Sequence, residues 1–160
     1  MNIVQAKISD ATIVSSVICS AHKDVAVMFA LNSDNCPKHP SFCEASWVES
    51  DIERGVEYFL YQENGEIAGC VSVETASNGQ VVYLNRLSVL PVYRSMGIGG
   101  ALVRFVLGYA KSQSRNAVSI GIISRHTKLK NWYRGLGFVD GDVKTFPHLP
   151  FDVLFMSYVI

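Results

Sequence analysis

The chain has 160 residues, fourteen Lys plus Arg against fourteen Asp plus Glu, 49% hydrophobic residues and 18% charged. That is enough for one domain, residues 1–160, able to bury about 70% of its unfolded surface without disulfides or metal, which excludes small disulfide scaffolds and general disorder. Zero net charge, with no block of five like charges, argues against a partner bound by neutralising many phosphates, so no nucleic acid is expected.

The chain opens with NIVQAK (2–7), which alternates as a half-buried strand does, and Ser9 or Asp10 stands ready to cap the helical pattern after it. Ile13, Val14, Val17, Ile18 and Ala21 fall on one helical face, which fits residues 11–21 better than a signal peptide does. The longest apolar run, Val25 to Leu31, falls far short of the roughly 20 residues a bilayer span needs, so no membrane partner is expected. Residues 32–46, rich in Pro, Asn, Ser and Asp, predict an ordered loop, and a short helix is expected at about 45–54.

Three strands come next, 57–62, 67–74 and 81–90, separated by Asn64-Gly65 and Asn78-Gly79, the dipeptides of tight hairpins. From Gly97 the period changes: Ile98, Ala101, Leu102, Phe105, Val106 and Tyr109 mark an amphipathic helix. AVSIGII (117–123) reads as a buried strand, parallel to 81–90 because a helix separates the two. Leu129, Trp132, Tyr133 and Leu136 give a short helix closed by Gly135 or Gly137, and FDVLFMSYVI (151–160) is a terminal strand.

Cys19, Cys36, Cys43 and Cys70 show no paired framework, which favours a reducing, cytoplasmic location. Cys36, His39 and Cys43 have a zinc-like spacing, but only Cys19 or His22, upstream, could complete four ligands, so no metal is expected.

The stretch from Leu87 to Val103 carries the chemistry: a strand, Pro91, then Arg94-Ser95-Met96-Gly97-Ile98-Gly99-Gly100 opening a helix. Unpaired N–H groups and the positive end of the helix dipole bind phosphate there, and the glycines let backbone approach an anion closely. There is no GxxxxGK[ST], and the dinucleotide pattern GxGxxG fails because Leu102 occupies its third glycine position.

Arg94 to Gly99 resembles the Q/RxxGxG/A pyrophosphate loop of the GNAT superfamily of acyl-CoA N-acyltransferases. Leu87-Ser88-Val89 with Pro91 is similar to the strand before that loop, and Trp132-Tyr133-Arg134-Gly135-Leu136-Gly137-Phe138 to the ending of the family's last helix. The resemblance covers about residues 81–140 and implies a GNAT-like α/β fold: a mixed, mostly antiparallel sheet with a central splayed parallel pair, flanked by helices. It implies acetyl-CoA as co-substrate, its pantetheine arm along Leu87, Ser88 and Val89. The phosphates would rest on backbone N–H groups of Ser95, Met96, Gly97, Ile98, Gly99 and Gly100.

The reaction implied is attack by a primary amine of a small molecule or peptide on the thioester, directly, in a ternary complex. By resemblance, a backbone N–H near Val89 supports the oxyanion and Tyr133 is the acid. A phenol of ordinary pKa about 10 would position the departing thiolate as much as protonate it. Relatives often carry a Glu on the strand equivalent to 81–89, whereas this chain has Asn85 and Arg86. Glu74, His126 or a water relay are the substitutes for a base. His126 stands where many relatives place an Asn contacting pantetheine, and is also a cofactor contact on that ground. Residues 32–46 would wall the acceptor pocket. The acids Asp34, Glu44, Glu49, Asp51 and Glu53 hint at a cationic acceptor, although surface solvation explains them equally well. Homodimers are common among similar proteins. The reading from a different class is a non-catalytic acyl-CoA-binding module that keeps the phosphate loop and lacks the base.

Overall fold

The computed structural model describes residues 2–160. Strand β1 (Ile3–Gln5) leads through a 3-10 turn at Ile8–Asp10 into helix α1 (Ala11–Met28). Asp10 does not cap α1 with its side chain. Its Oδ2 accepts instead from the Lys7 N–H at 2.7 Å, closing the turn ahead of the helix. A 3-10 turn at Pro40–Phe42 precedes α2 (Ala45–Glu53). Next come β2 (Glu57–Glu63), β3 (Glu66–Thr75), β4 (Val81–Val89), a 3-10 turn at Pro91–Tyr93, α3 (Ile98–Ser112), β5 (Ala117–Ile123), α4 (Thr127–Gly135), β6 (Val139–Thr145) and β7 (Asp152–Val159).

The seven strands form one sheet in the order β1-β2-β3-β4-β5-β7-β6, antiparallel throughout except for the expected parallel β4–β5 pair. Strand β6 has no counterpart among the elements expected from sequence. VDGDVKT has two glycine-flanking aspartates, no apolar alternation and no buried residue, and it is a strand because β7 supplies the hydrogen-bonding edge.

Alternation along the central strands divides the core between the two faces. Phe59, Val71 and Val73 pack with Ile98, Leu102, Val103 and Val106 of α3. Tyr58, Leu60 and Cys70 pack with Val14, Val17 and Ile18 of α1 and Val48 of α2. Residues Ile8–Met28 are long and apolar enough, by length and composition alone, to cross a bilayer. Their apolar stripe, however, is the lid of this second cluster, and one long helix of a domain's core passes the same test.

Two local features shape the middle of the sheet. The β4–β5 ladder has three registered pairs, Val81 with Ala117, Val82 with Val118 and Tyr83 with Ser119, and then the strands part. On the other side of β4 the register against β3 jumps from Ser72–Asn85 to Cys70–Ser88, so Val71 faces both Arg86 and Leu87: a β-bulge. Arg86 takes φ +51° there, a left-handed conformation that costs an arginine about 1–3 kcal/mol.

The neighbours over-determine that conformation. Arg86 donates to Asp51 Oδ2 (2.9 Å) and Tyr58 Oη (2.7 Å), Tyr58 donates to the same carboxylate oxygen (2.6 Å), and the Trp47 ring lies 5.8 Å from the guanidinium. The Arg86 carbonyl accepts from Ser88 Oγ at 2.9 Å, and Ser72 Oγ donates to the Asn85 carbonyl at 3.0 Å.

Beside the bulge β3 must be bare. A Cβ on Gly69 would stand 2.5 Å from the Ser88 carbonyl oxygen, a backbone atom that cannot step aside without moving β4. Gly69→Ala is expected to destabilise the fold by about 2–3 kcal/mol in urea melts. Gly108→Ala, in α3 with nothing within 4 Å of the new methyl, is expected to stabilise it by about 0.5–1 kcal/mol.

Candidate active site

Where β4 and β5 part, a cavity of about 850 Å³ opens. Its walls are Leu84–Leu87 and Val89 of β4, Ile120–Ile123 of β5, Ala21, His22, Asp24 and Val25 of α1, and Leu129, Trp132 and Tyr133 of α4, with Arg94, Gly99, His39, Pro40 and Phe151 also lining it.

The phosphate-loop end is built from backbone. Helix α3 begins at Ile98 with Gly97 as its N-cap at φ +79° and no side chain capping it. Ser95 is left-handed as well, at φ +63°, and residues of this kind alternating with right-handed ones turn successive N–H groups inward, the geometry of an anion nest. Gly99 leaves clear the gap between Trp132 and Val89: a Cβ would sit 3.3 Å from the indole.

The edge of β4 facing the cavity is unpaired. Leu90 N–H bonds the Ala68 carbonyl on the β3 side, so by alternation the Val89 N–H and C=O point the other way, and Arg94 Nε meets that carbonyl at 3.4 Å. A pantetheine arm needs an open strand edge of this kind beside an uncapped helix N-terminus, so the donor set fits acetyl-CoA.

Tyr133 lies on the floor, positioned by the end of α4. Phe138 N–H bonds the Tyr133 carbonyl (3.1 Å) and Gly137 N–H bonds that of Arg134 (3.0 Å), a Schellman closure with Gly137 at φ +101°. Of the two glycines offered by the sequence, Gly137 is therefore the one that ends the helix. A Cβ there would stand 2.8 Å from the Tyr158 ring. The Tyr133 ring packs edge-on between Trp132 and Phe138. Burial alone pushes its phenol well above the ordinary tyrosine range, so the hydroxyl keeps its proton at any physiological pH.

Among the expected cofactor residues, Leu87, Val89, Arg94, Gly99 and His126 line the cavity, as does the expected acid Tyr133, while Ser95, Met96 and Gly97 are exposed and Gly100 is half-buried in the first turn of α3. The Ile98 side chain is buried in the core, leaving its backbone for the loop. Ser88 turns its hydroxyl away from the cofactor edge, toward α1. Arg94 is engaged by α1: it donates to Asp24 Oδ2 (2.6 Å) and to the Ala21 carbonyl (2.7 Å). Partial burial raises the Asp24 pKa, but the hydrogen bond and charge of Arg94 outweigh this and hold it below the usual carboxylate value.

The structure does not bring Glu74 to this site. It stands near the far end of β3, opposite Tyr83, bound to Arg54 at 2.5 Å, and is not among the residues lining the cavity. His126 lines the cavity, yet its Nδ1 accepts the Leu129 N–H (3.3 Å) as the N-cap of α4, so the neutral ring carries its proton on Nε2 and can donate to a ligand but has no lone pair to act as a base. The acids suspected of recognising a cationic acceptor do not line it either: Asp51 is bound to Arg86, Arg54 and Tyr58, and Asp34, Glu44, Glu49 and Glu53 face solvent. Cys36 and Cys43 belong to different buried clusters, and His39 Nδ1 bonds Ser41, so the zinc-like spacing gathers no ligand set; among the described residues no three His, Cys, Asp or Glu side chains converge on a metal position.

His22 and His39, which the sequence offered only as incomplete zinc ligands and, for His39, as part of the 32–46 loop, also line the cavity. Their rings stand edge to face, 6.1 Å apart between centroids. The available signal was a titratable residue at i+4 from Ile18, on the apolar stripe of α1. Burial, with the neighbouring His39 adding to it and the Leu87 carbonyl opposing it, lowers the His22 pKa to about 4.

Comparison with known proteins agrees with the geometry. A profile of the acetyltransferase (GNAT) family matches residues 26–138. Ribosomal-protein-S18-alanine N-acetyltransferase of Escherichia coli superposes with a TM-score of 0.77 over 99% of this chain and 92% of its own, at 15% identity. Ribosomal-protein-alanine N-acetyltransferase of Brucella melitensis gives 0.74 over 100% of both chains at 16% identity. A GNAT family acetyltransferase of Elizabethkingia anophelis, solved with acetyl-CoA bound, gives 0.63 over 73% of this chain and 84% of its own, at 18% identity. At such identities the likeness is one of fold. An uncharacterized N-acetyltransferase of Methanocaldococcus jannaschii is 26% identical over 102 residues, 61% of this chain but only 44% of the relative, so the match spans under half of that protein's length.

Fold and family profile together place the chain among the acyltransferases. The chain belongs to the acetyltransferase (GNAT) family, whose acyl donor is acetyl-CoA.

The His22 shift has a consequence for stability. Its folded pKa of about 4 lies below the unfolded value of 6.5, so between these pH values the unfolded chain binds the extra proton and stability falls as pH falls. The groups facing the ring are His39, Asp24 and Arg94. His22→Gln is expected to flatten the loss between pH 6.5 and 4 by up to about 3 kcal/mol, read from urea melts across that range. An equally steep loss in the variant would show that His22 is not the group responsible.

Proposed function

We propose that the chain, acting as one catalytic domain, transfers the acetyl group of acetyl-CoA to a primary amine of a small molecule or peptide by direct attack in a ternary complex. The observation that carries this reading is continuity. One cavity is lined by Arg94 and Gly99 of the loop, by Leu87 and Val89 of β4 and by Tyr133, with His22, His39 and Phe151 on its walls as well, so donor and acceptor can meet without either passing through a covalent enzyme adduct.

Each group has a task. The nest at 95–100 and the α3 N-terminus hold pyrophosphate, and the β4 edge aligns the pantetheine arm. The Val89 N–H, facing the cavity, supports charge developing on the thioester oxygen. Tyr133, holding its proton tightly, stabilises the departing thiolate with a hydrogen bond rather than surrendering the proton. The thiolate, of ordinary pKa about 8.5, then takes a proton from water. The four unpaired cysteines and the acetyl-CoA requirement fit a cytoplasmic enzyme.

The test is thiol release from acetyl-CoA over a panel of polyamines, aminoglycosides, amino acids and peptides with free N-termini. The alanine acceptors named for the E. coli and Brucella neighbours make the last of these worth including. At least one amine should support turnover. Tyr133→Phe should lower kcat roughly ten- to a hundredfold, the worth of one hydrogen bond to a charged group, and leave acetyl-CoA affinity within a few-fold. Binding of acetyl-CoA with no turnover on any amine would instead identify a binding module.

A further inference from the structure

We propose that His22 of α1 is the proton acceptor of this acetyl transfer, taking the proton that the amine must lose as it attacks. The inference rests on the acetyl-transfer reading above and adds to it the group that β4 fails to supply.

Free lone pairs are scarce on the cavity wall. Of the residues lining it, Asp24 is the sole carboxylate, and Arg94 holds it at 2.6 Å. Three histidines line it: His22, His39 and His126. His126 commits its Nδ1 lone pair to the Leu129 N–H, and His39 commits its own to the Ser41 N–H at 3.2 Å, with Ser41 Oγ 2.7 Å away. Both rings therefore present Nε2–H, a donor, to whatever they face.

His22 is bound the other way round. Its Nε2 lies 3.1 Å from Ser88 Oγ, and Ser88 gives its own proton to the Arg86 carbonyl at 2.9 Å. The serine oxygen is left to accept, so the imidazole carries its proton on Nε2. Nδ1 is then the unprotonated nitrogen, with no side-chain partner, and the Leu87 carbonyl beside the ring favours its protonated form. Of the three cavity histidines it alone has an Nδ1 that does not accept a backbone N–H.

The surroundings suit the task. Burial and the neighbouring His39 keep the ring neutral well below pH 6.5, so it neither repels an incoming amine nor arrives already protonated. So weak a base cannot strip a free ammonium ion, and the amine binds as its free base. Nitrogen becomes far more acidic once its bond to the acyl carbon forms. As that N–C bond forms and the C–S bond breaks, the nitrogen's surplus proton moves to Nδ1. The imidazolium then passes it to water, while the thiolate leaves against Tyr133 and is protonated by solvent.

The carbonyl that accepts from Ser88 belongs to Arg86, the residue forced left-handed at the bulge. The bulge that opens the cofactor edge thus also fixes the tautomer of the base.

Three measurements test the proposal. His22→Gln keeps an N–H donor for Ser88 and removes the basic lone pair. With an amine found in the panel above, its kcat should fall about a hundredfold or more, with acetyl-CoA Kd unchanged. In His22→Ala, added imidazole should restore part of the lost rate, which a purely structural role for the ring would not allow. In the wild-type protein, ¹⁵N spectra of the His22 ring should show Nε2 protonated and Nδ1 bare down to about pH 5, as the lowered pKa requires. Turnover of His22→Gln within threefold of wild type, no rescue by imidazole, or an Nδ1–H tautomer would each overturn the inference while leaving acetyl transfer standing. Absence of turnover in the wild-type protein with every amine would overturn the acetyl-transfer reading, and this inference with it.

Discussion

The site depends on a hydrogen-bond ladder that stops. After Tyr83 and Ser119 the parallel pair β4–β5 is no longer joined, and everything functional lies in the wedge beyond. Two parallel strands at the centre of a sheet would ordinarily stay paired, because unpaired backbone polar groups away from water are destabilising. Here the bulge at Arg86 turns β4 away from its neighbour, and an ion pair with Asp51, itself hydrogen-bonded by Tyr58, holds the strained residue in place. The freed N–H and C=O groups of β4 form the open edge proposed to align the cofactor.

Charge is arranged to the same end. The formal net charge is zero, and the chain has no run of basic residues to hold a polyanion. A single pyrophosphate can be met by fixed backbone dipoles, which formal charge does not count. Apart from the exposed Lys128, the side chains around the wedge are accordingly neutral or already paired: Asp24 with Arg94, Arg86 with Asp51, and histidines whose charged form burial disfavours. Both α1 and α4 serve the site through their ends and inner faces. The Schellman closure at Gly137 places Tyr133, and the last inward turn of α1 places His22.

Much of this was legible in the sequence, for physical reasons. Helices α1 and α3 announce themselves because each buries one continuous stripe, and β2, β3 and β4 because Asn-Gly turns punctuate them. The phosphate loop is local, so Arg94 to Gly99 can be read without knowing what they face. Strand β6 could not be read, since none of its residues is buried and its existence depends on β7. Nearness in sequence to the bulged strand suggests Glu74, but alternation and the Arg54 ion pair take it elsewhere. His22 lies sixty-six residues from Ser88, and only the fold brings α1 over β4. Nor does a histidine's residue type say which nitrogen is free; that is decided by Ser41, Ser88 and Leu129, three partners at three different separations.

The central claim is that the wedge between β4 and β5 receives acetyl-CoA through backbone groups. Amide hydrogen exchange with and without acetyl-CoA tests it most directly, because it reads those groups themselves. Saturating acetyl-CoA should slow exchange at Val89 and across residues 95–100 while leaving β6 and α2 unchanged. Tight binding that leaves these amides exchanging at the free rate, or that protects another part of the chain instead, would contradict the account.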